Sequence, residues 1–409
     1  MKSTRRYSSL LVCLSLATSH WPLATARAAD WPQFRGPGSL GTSEEKNLPV
    51  KWSAKEGLRW VADLPGRGLS SPVVAGNRVF VTATTGYQQS RLHVLCFDLA
   101  SGKKLWERQF WSTGSTTCHP KTSMAAPTPV TDGKNVYALF ATCDLVCLDM
   151  DGNLVWLRSL AGDYPTVTNQ VGMAASPTIW KDTLLVLLEN AGESFAAGID
   201  TATGKNKWKV ERKRQINWTT PIVIQNGNDA EVLFLNGSEL AAYDPATGKK
   251  RWSYDGGGST TPSAVPGKGM VLVPGSELVA LKPPAGKGEP EVLWSSTPLR
   301  PATASPVYHD GRVYTVTGAG VLNCGDAASG KVLWQQRLKG PFSASPVVAD
   351  GKLYAVNEAG ICHVVQLGDK PEVLAANDVG DTILATPAIS GGAILLRSDG
   401  KLWCVGEKK

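Results

Sequence analysis

Residues 242–252 read Ala242-Tyr-Asp-Pro-Ala-Thr-Gly-Lys-Lys-Arg-Trp252, a polar turn followed by an aromatic residue at strand-like spacing. An aspartate caps a turn by accepting backbone N–H groups, and glycine tolerates the left-handed conformation that a tight turn needs. The pattern therefore predicts a β-hairpin. The same spacing of Asp, Gly, Lys and Trp recurs in Asp98/Gly102/Lys103/Trp106, Asp200/Gly204/Lys205/Trp208 and Asp326/Gly330/Lys331/Trp334. It also recurs in Asp149/Gly152/Trp156, where the turn is one residue shorter.

A second signal marks the start of each repeat, where a small residue and a proline open a short apolar run. Repeats of roughly forty to fifty residues built from short alternating segments are typical of propellers, with one four-stranded sheet per repeat. The sequence therefore predicts an all-β, eight-bladed β-propeller of four-stranded antiparallel blades. The eight pairs are Ser71-Pro72, Ala126-Pro127, Ser176-Pro177, Thr220-Pro221, Thr261-Pro262, Ser305-Pro306, Ser345-Pro346 and Thr386-Pro387.

Tryptophans at the ends of the repeats are predicted to pack over the turns of neighbouring blades. Burying an indole removes roughly 150–250 Å² from water, which stabilises the fold by at most about 4–6 kcal/mol. We interpret them as structural docking residues rather than as a platform for a cofactor. They are Trp60, Trp106, Trp156, Trp208, Trp252, Trp294 and Trp334.

The two ends of the chain are predicted to share the eighth blade. After Thr386-Pro387 only three strands fit before the carboxyl terminus, while residues 58–64 have the pattern of a fourth strand ahead of the first Ser-Pro pair. Pairing the amino- and carboxyl-terminal strands would remove the exposed sheet edges. We expect a signal peptide at 1–28, an amino-terminal extension at 29–56 and the propeller at 57–409.

The Ala-x-Asp-x-x-Thr-Gly-x-x-x-Trp pattern resembles the tryptophan-docking repeat of the PQQ-repeat, quinoprotein-like propeller superfamily over about residues 57–406. The opening Asp30-Trp-Pro-Gln-Phe-Arg-Gly-Pro37 is similar to the start of secreted PQQ-like propellers. The resemblance extends to non-enzymatic members such as the propeller lipoprotein of the outer-membrane β-barrel assembly machinery. It implies a propeller fold, and it leaves both a scaffolding role and a quinone-dependent dehydrogenase role open.

Chemical motifs are scarce in this sequence. The histidines after the signal region have no metal-ligand spacing, and neither a Gly-x-Ser-x-Gly nor a His-Glu-x-x-His motif occurs. The alcohol-oxidising relatives cover their quinone with adjacent cysteines, a pair that this chain lacks. No catalytic residue, metal or cofactor is therefore assigned, although PQQ with calcium stays open. Cys118 and Cys143 could form a disulfide in an oxidising compartment.

The irregular residues just before each inner strand, together with the turns on the same face, are predicted to ring one mouth of the channel. The insert at residues 118–124 is the most distinctive, because the repeat pattern does not require its proline, histidine or lysine. The net positive charge expected there would favour an anionic ligand. The ligand-binding candidates are Arg67, His119, Lys121, Glu193, Asn217, Trp218, Arg300 and Asp381.

Three functional classes fit the sequence. The first is an exported binding or scaffolding module of the envelope, with a protein, peptide or polysaccharide partner. The second is a PQQ- or metal-dependent oxidoreductase, and the third is a hydrolase or lyase that uses His119 and Lys121. The formal net charge of +7 includes four basic residues and no acid within 1–28, and no basic cluster indicates nucleic-acid binding. No apolar segment is long enough to span a membrane, and a monomer is expected.

Export provides the first testable prediction. Lys2, Arg5 and Arg6 precede an apolar run, and Ala26-Arg27-Ala28 forms a small-residue cleavage site. We expect the mature chain to begin at Ala29 or Asp30 and to lie in the periplasm or the medium. Amino-terminal sequencing of the fractionated protein measures this, and exported material that still begins at Met1 would contradict it.

Overall fold

The computed structural model describes residues 30–168, 171–286 and 288–407. In these residues eight sheets surround a central channel, which confirms the predicted eight-bladed propeller. The signal peptide expected at 1–28 lies outside the described residues. The only helical turns in the described ranges are a short α1 (Leu160–Asp163) and the 3₁₀ turns Pro37–Ser39 and Tyr87–Gln89.

Two short strands precede the first complete blade. They are β1 (Thr42–Ser43) and β2 (Leu58–Asp63). Blades 1 to 4 follow, each an antiparallel meander whose first strand is innermost. Their strands are β3 (Val73–Ala75), β4 (Arg78–Thr85), β5 (Arg91–Asp98) and β6 (Lys104–Trp111); β7 (Val130–Thr131), β8 (Asn135–Leu139), β9 (Asp144–Asp149) and β10 (Leu154–Ser159); β11 (Thr178–Trp180), β12 (Thr183–Leu188), β13 (Phe195–Asp200) and β14 (Asn206–Glu211); and β15 (Ile222–Asn226), β16 (Asp229–Leu235), β17 (Leu240–Tyr243) and β18 (Lys250–Tyr254).

Blades 5 to 8 continue the same order, with β1 added in parallel to the inner strand of blade 7. Their strands are β19 (Val265–Gly267), β20 (Met270–Pro274), β21 (Leu278–Lys282) and β22 (Glu291–Ser296); β23 (Val307–His309), β24 (Arg312–Val316), β25 (Val321–Asp326) and β26 (Val332–Arg337); β27 (Val347–Ala349), β28 (Lys352–Val356), β29 (Ile361–Gln366) and β30 (Glu372–Asp378); and β31 (Ala388–Ser390), β32 (Ala393–Arg397) and β33 (Lys401–Val405).

Blade 8 closes as the sequence pattern predicted, because β2 is its fourth strand. β2 pairs antiparallel with β33, with Leu58 opposite Val405 and Asp63 opposite Lys401. The seam between blades 8 and 1 is tied by the buried Arg397, whose guanidinium donates to the Ser70 hydroxyl at 2.6 Å and to the Thr82 carbonyl at 2.7 Å. The propeller is therefore sealed both by backbone pairing and by a side chain.

Hydroxyl groups also join the inner strands from blade to blade. At seven consecutive seams a backbone N–H of one blade donates to a serine or threonine hydroxyl of the next at 2.9–3.2 Å. In most blades the hydroxyl-bearing residue directly precedes the proline that opens the repeat. In blades 2 and 5 it directly follows that proline. The series runs Ser71, Thr128, Ser176, Thr220, Ser263, Ser305, Ser345 and Thr386.

Six tryptophans lie over the turn of the next blade. At five of these turns a Cβ added to the turn glycine would lie only 2.5–2.8 Å from the indole, so the ring occupies the space of a side chain. Each Nε1–H also donates to a carbonyl of that next blade at 2.8–3.0 Å. The pairs are Trp60 with Leu99, Trp106 with Met150, Trp156 with Thr201, Trp208 with Pro245, Trp294 with Ala327 and Trp334 with Gly368.

Trp252 differs from the other tryptophans. Its Nε1–H donates to the Glu231 carboxylate of its own blade at 2.9 Å. The next blade has Pro283-Pro284 where the Asp-to-Gly turn would stand, and the Asn226 side chain donates to the Pro284 carbonyl at 2.9 Å instead. The seam between blades 4 and 5 is thus tied by a different hydrogen bond.

The docking geometry generates a prediction with a matched control. Gly102 and Gly269 both have φ of +71°, but a Cβ at Gly102 would lie 2.5 Å from the Trp60 ring whereas nothing lies within 4 Å of one at Gly269. Alanine strains the backbone equally at both sites, so the difference isolates the tryptophan contact. We expect Gly102→Ala to destabilise the protein by about 1–3 kcal/mol more than Gly269→Ala in denaturant unfolding. Equal losses of stability in the two variants would show that the Trp60 ring can move aside at no energetic cost.

Candidate functional site

The channel has two different ends. We call the end where the inner strands begin the mouth, and the opposite end the floor. Residues 30–45, the floor segment, run across the floor and contact blades on both sides of the axis. The contacts join Trp31 to Val74, Pro32 to Thr131, Arg35 to Pro306, Gly41 to Val348, and Glu45 to Gly391 and Gly392.

Between the floor segment and the mouth lies a cavity of about 150 Å³. Its wall consists mainly of the small residues of the hydroxyl series and their neighbours, with Phe34 of the floor segment and Trp218 among the larger side chains. No carboxylate, lysine or arginine lines it among the described residues. The channel is therefore narrow, polar and uncharged along its wall.

Residues 112–124, the mouth loop, lie at the mouth between β6 of blade 1 and β7 of blade 2. The loop is anchored at one end by Thr113, whose hydroxyl donates to the Asp144 carboxylate at 2.5 Å. Near its tip the Lys121 amino group reaches the Glu358 carboxylate of blade 7 at 3.0 Å, and the Arg67 guanidinium donates to the Pro120 carbonyl. The His119 backbone N–H also donates to the Val171 carbonyl, ahead of blade 3, at 3.1 Å. The loop is thus held on four blades, and the side chains of His119 and Lys121 are exposed on it.

Opposite charges balance most of the charged candidates at the mouth. Arg67 lies 3.5 Å from the Asp399 carboxylate, and Lys121 pairs with Glu358. Burial raises the pKa of Glu358, but hydrogen bonds from Ser343 and Lys121 and the charge of Lys121 outweigh it, so this pKa lies below its ordinary value. The mouth is therefore less positive than the sequence predicted.

The side chains of the remaining candidates differ in whether they already have a hydrogen-bond or ion-pair partner. Arg300 is exposed, and no partner of its guanidinium is found in the described ranges. The Asp381 carboxylate accepts the Ser398 hydroxyl at 2.7 Å. Glu193 stands in the β12–β13 turn and pairs with Lys209 at 2.5 Å, a contact that lowers its pKa. The Trp218 indole donates to the Gly172 carbonyl at 2.7 Å and lines the cavity.

Asn217 does not face the mouth. It is 1% exposed, and its side-chain amide donates to the Glu189 carboxylate at 2.9 Å and to the Leu235 carbonyl at 2.8 Å. A buried amide with its donors used this way holds the loop in place and offers nothing to a ligand. Its polar character in the sequence reflects this internal role.

Asn217 belongs to a buried network between blades 3 and 4. The Arg212 guanidinium donates to Glu189 at 2.7 Å and to Glu239 at 2.9 Å, and Asn236 donates to Glu189 at 3.0 Å. Burial raises the pKa of Glu189, and Arg212 only partly offsets this. Because every oxygen of Glu189 is already bonded, the network ties two blades together.

The two cysteines considered for a disulfide are free thiols in the structure. Cys118 is partly exposed in the mouth loop, where it contacts the Gln89 amide at 3.5 Å and the Thr122 carbonyl at 3.8 Å. Cys143 is buried in the apolar core, and burial raises its pKa to about 12. The Cys118 thiol therefore lies in a polar loop, and the Cys143 thiol lies among apolar side chains.

Sequence reasoning missed a polar relay in blade 1. His93 Nε2 lies 2.7 Å from the Thr85 hydroxyl, and its Nδ1 lies 2.8 Å from the Glu107 carboxylate. This order of hydroxyl, imidazole and carboxylate is the one that activates nucleophiles. Because His93 is only 3% exposed and the three residues lie on the neighbouring strands β4, β5 and β6, we assign the relay to joining these long strands. The sequence feature that could have revealed this relay is the polar residue His93 between the apolar Leu92 and Val94.

A surface groove of about 610 Å³ lies on the floor side, away from the mouth. It runs between residues 46–51 and the end of blade 8, and its cationic residues are Lys46, Lys51 and Arg59. Arg59 is occupied, because it donates to the carbonyls of Glu407 and Gly391 at 3.0–3.2 Å. The groove is a seam between the extension and the ring.

Comparison with solved structures identifies the same architecture in two kinds of protein. BamB from Moraxella catarrhalis aligns with a TM-score of 0.64 and 14% identity, covering 85% of this chain and 97% of that one. Quinohemoprotein alcohol dehydrogenase from Comamonas testosteroni aligns with a TM-score of 0.70 and 14% identity, covering 93% and 81%. A europium-containing methanol dehydrogenase aligns with a TM-score of 0.69 and 13% identity, covering 91% and 90%. At such identities these likenesses show the fold alone.

Sequence comparison gives the family. No curated protein matches the chain, and none of the helices in the described residues is long and apolar enough to cross a membrane. The model of the PQQ-like repeat family described as "Outer membrane protein assembly factor BamB" matches residues 38–209, 172–265, 191–289 and 274–378. These matches extend over most of the propeller, and the chain therefore belongs to this family of PQQ-like repeat propellers.

Proposed function

We propose that this protein is an exported binding or scaffolding propeller of the cell envelope that holds a protein partner at its mouth. The observation that carries the proposal is the mouth loop, an insert that no repeat requires and that lies across the channel. Lys121 and Pro120 tie it to blades 7 and 1, so it presents a shaped surface rather than a loose tail. Binding residues are often placed on loops held by a rigid scaffold.

The family supports an envelope role. Its description names an outer membrane protein assembly factor, and the Moraxella catarrhalis BamB structure is matched along 97% of its length. An assembly factor acts by binding other proteins, which favours a protein or peptide over a polysaccharide as the partner here. The signal pattern at 1–28 agrees with a periplasmic or secreted location.

A PQQ-dependent oxidoreductase is the alternative that the dehydrogenase neighbours bring forward. The residues around the channel do not fit that group. The cavity of about 150 Å³ is smaller than the roughly 300–1,000 Å³ of typical cofactor sites. The buried carboxylate of Glu189 is already bonded to Arg212, Asn217 and Asn236, and no group of three His, Cys, Asp or Glu side chains in the described chain could hold a metal.

A hydrolase built on the mouth loop is also disfavoured. The Lys121 amino group pairs with the Glu358 carboxylate at 3.0 Å, and His119 Nδ1 accepts the Lys121 backbone N–H at 3.1 Å. Among the residues that the structure describes, neither side chain forms the hydrogen bond to a hydroxyl or thiol that a base-activated nucleophile requires. The mouth therefore supports recognition better than catalysis.

The paired charges indicate what the partner must offer. Because Arg67 and Lys121 are already matched by Asp399 and Glu358, a purely anionic ligand would have to break existing ion pairs. Arg300 and the exposed ring of His119 remain for new contacts. We infer a polar protein segment of mixed charge as the partner.

Site-specific cross-linking tests the proposal. A photoreactive amino acid at Arg300, on the mouth, is compared with one at Asp369, a fully exposed residue on the floor side whose side chain is 98% exposed. In the native envelope we expect a discrete cross-linked protein from position 300 and none from position 369. The double variant His119→Ala/Lys121→Ala should abolish that product while changing stability by no more than about 1 kcal/mol.

Two outcomes would contradict the proposal. Equal cross-linking from both positions would place recognition away from the mouth. A stoichiometric visible absorption band on adding PQQ and calcium, with substrate-dependent bleaching, would favour the oxidoreductase instead. If the double variant unfolds, the mouth loop is a structural clasp.

The tether of the mouth loop can be tested separately. Glu358→Gln removes the charge that holds Lys121, so we expect trypsin cleavage after Lys121 to increase several-fold with little change in melting temperature. Asp369→Asn, which removes an exposed partner of Arg312, is the control and should leave that cleavage unchanged. Unaltered cleavage in Glu358→Gln would show that the ion pair does not restrain the loop.

Acid should release the loop in the same way. The pKa of Glu358 is lowered in the folded protein, so its contribution is complete above the ordinary range of a glutamate and is lost as the pH falls through the lowered value. The protection of the backbone amides of residues 115–121 against hydrogen exchange, measured relative to the intrinsic rate at each pH, should therefore fall as the pH drops below the ordinary glutamate value of about 4.3. In Glu358→Gln that pH dependence should disappear.

A further inference from the structure

Two exposed aromatic side chains lie next to each other at the mouth end of blade 1. Tyr87 is 82% exposed in the turn between β4 and β5, and Trp111 is 65% exposed at the end of β6. The backbone connects them, because the Ser90 N–H donates to the Tyr87 carbonyl at 3.1 Å and the Ser112 N–H donates to the Ser90 carbonyl at 2.9 Å. No other Phe, Tyr or Trp in the described ranges is as exposed as these two. Exposed Tyr and Trp side chains that occur together are typical of binding surfaces.

The hairpin that carries Tyr87 extends further at the mouth than those of the other blades. Its strands β4 and β5 have 8 residues each, whereas the second and third strands of the other blades have 4 to 7. The floor ends are in register, since Arg78 pairs with Asp98 as Arg312 pairs with Asp326 in blade 6. The extra residues therefore lie at the mouth, where the relay of His93 joins the three strands below the turn.

The turn itself is held in a strained conformation. Gln88 and Gln89 have φ of 51° and 62°, which are left-handed values that cost energy in residues other than glycine. The Gln89 side-chain oxygen accepts the Thr84 hydroxyl at 2.9 Å and the Met124 backbone N–H at 3.1 Å. The mouth loop thus fixes the turn, and a side chain presented by a fixed turn loses little entropy when it binds a partner.

The surface around the two rings is cationic. Segments 84–91 and 108–124 contain three Lys or Arg residues and no Asp or Glu. The Arg91 guanidinium lies over the Trp111 ring at 4.2 Å and donates to the Gln109 side chain at 2.9 Å, and it forms no ion pair within the described residues. A carboxylate can therefore pair with Arg91 without breaking an existing ion pair, in contrast to the pair of Lys121 and Glu358.

We propose that the blade 1 shoulder, defined by Tyr87, Arg91 and Trp111, binds an acidic segment of the partner protein that also carries bulky apolar side chains. This inference rests on the proposed function, and it assigns the acidic part of the mixed-charge partner to this surface. Carboxylates of the segment pair with Arg91, and its apolar side chains cover the two rings. The charge gives specificity, and the rings supply most of the contact area.

Selection from a random peptide library tests the shoulder with a defined probe. Phage-displayed random peptides are selected on the purified protein, and peptides with the resulting consensus sequence are titrated by fluorescence polarisation. We expect a consensus in which Asp or Glu adjoins a bulky apolar residue, and binding that weakens as the salt concentration rises. Failure to enrich any sequence, or enrichment of basic or purely polar sequences, would overturn the proposal.

A double variant with a matched control isolates the aromatic side chains. Tyr87→Ser/Trp111→Ser should weaken binding of the consensus peptide at least about tenfold, since aromatic anchors carry much of the affinity of an interface. Leu154→Ser/Leu333→Ser removes apolar residues of 55% and 50% exposure from the outer strands of blades 2 and 6, and should leave the affinity unchanged. Equal weakening in the two double variants would contradict the assignment. If the first does not fold, Tyr87→Ser alone supplies the comparison.

The charge of Arg91 is tested in the same titration. Arg91→Gln should lower the affinity several-fold and reduce its salt dependence, because one ion pair to the peptide is lost. Lys282→Gln, which removes an exposed amino group 3.3 Å from Glu291 on blade 5, is the control and should change neither quantity. An unaltered salt dependence in Arg91→Gln would refute the acidic character of the segment.

The cross-link from position 300 distinguishes this inference from the proposed function. If Tyr87→Ser/Trp111→Ser gives that product as strongly as the wild type, partner binding at the mouth stands and the role of the shoulder is refuted. If the wild type gives no product, the proposed function itself fails. Binding to purified peptidoglycan sacculi that is lost in the double variant would show a glycan ligand in place of a polypeptide, and would also overturn the proposal.

Discussion

The pairing of β2 with β33 is the constraint on which the rest of the molecule depends. Without β2, blade 8 would have three strands, and the outer edge of β33 would present unpaired backbone groups. The same strand carries Trp60, which covers the turn of blade 1. Only a closed ring brings Lys121 of blade 2 within reach of Glu358 of blade 7. Both the mouth and the floor are therefore products of closure.

The fold could be predicted because its determinants are local. A turn glycine, its aspartate and a tryptophan stand within nine residues of one another, and the repeat multiplies that signal. Where the local pattern is absent, as at Pro283-Pro284, the docking of Trp252 also changes. Closure was predicted from the count of strands, which again needs only the order of elements along the chain.

The chemistry of the mouth and floor was harder to predict because it depends on distant partners. Lys121 and Glu358 are 237 positions apart, and nothing near either residue reveals the other. Asn217 looked like a polar loop residue, yet it is buried against Glu189. Arg35 was part of a recognisable opening motif, but its burial follows from the path of the floor segment. Charge in a sequence indicates where polar groups lie, not whether they are already paired.

The path of the chain also bears on how the protein reaches its native state. Leu58 is paired with Val405, so a strand pairing joins residues near opposite ends of the propeller. Such non-local pairing raises contact order and slows folding. A chain synthesised from its amino terminus would hold β2 unpaired until the last strand emerges. We therefore expect the blades to form early and the ring to lock late, with the closing strand exposed to chaperones or proteases in between.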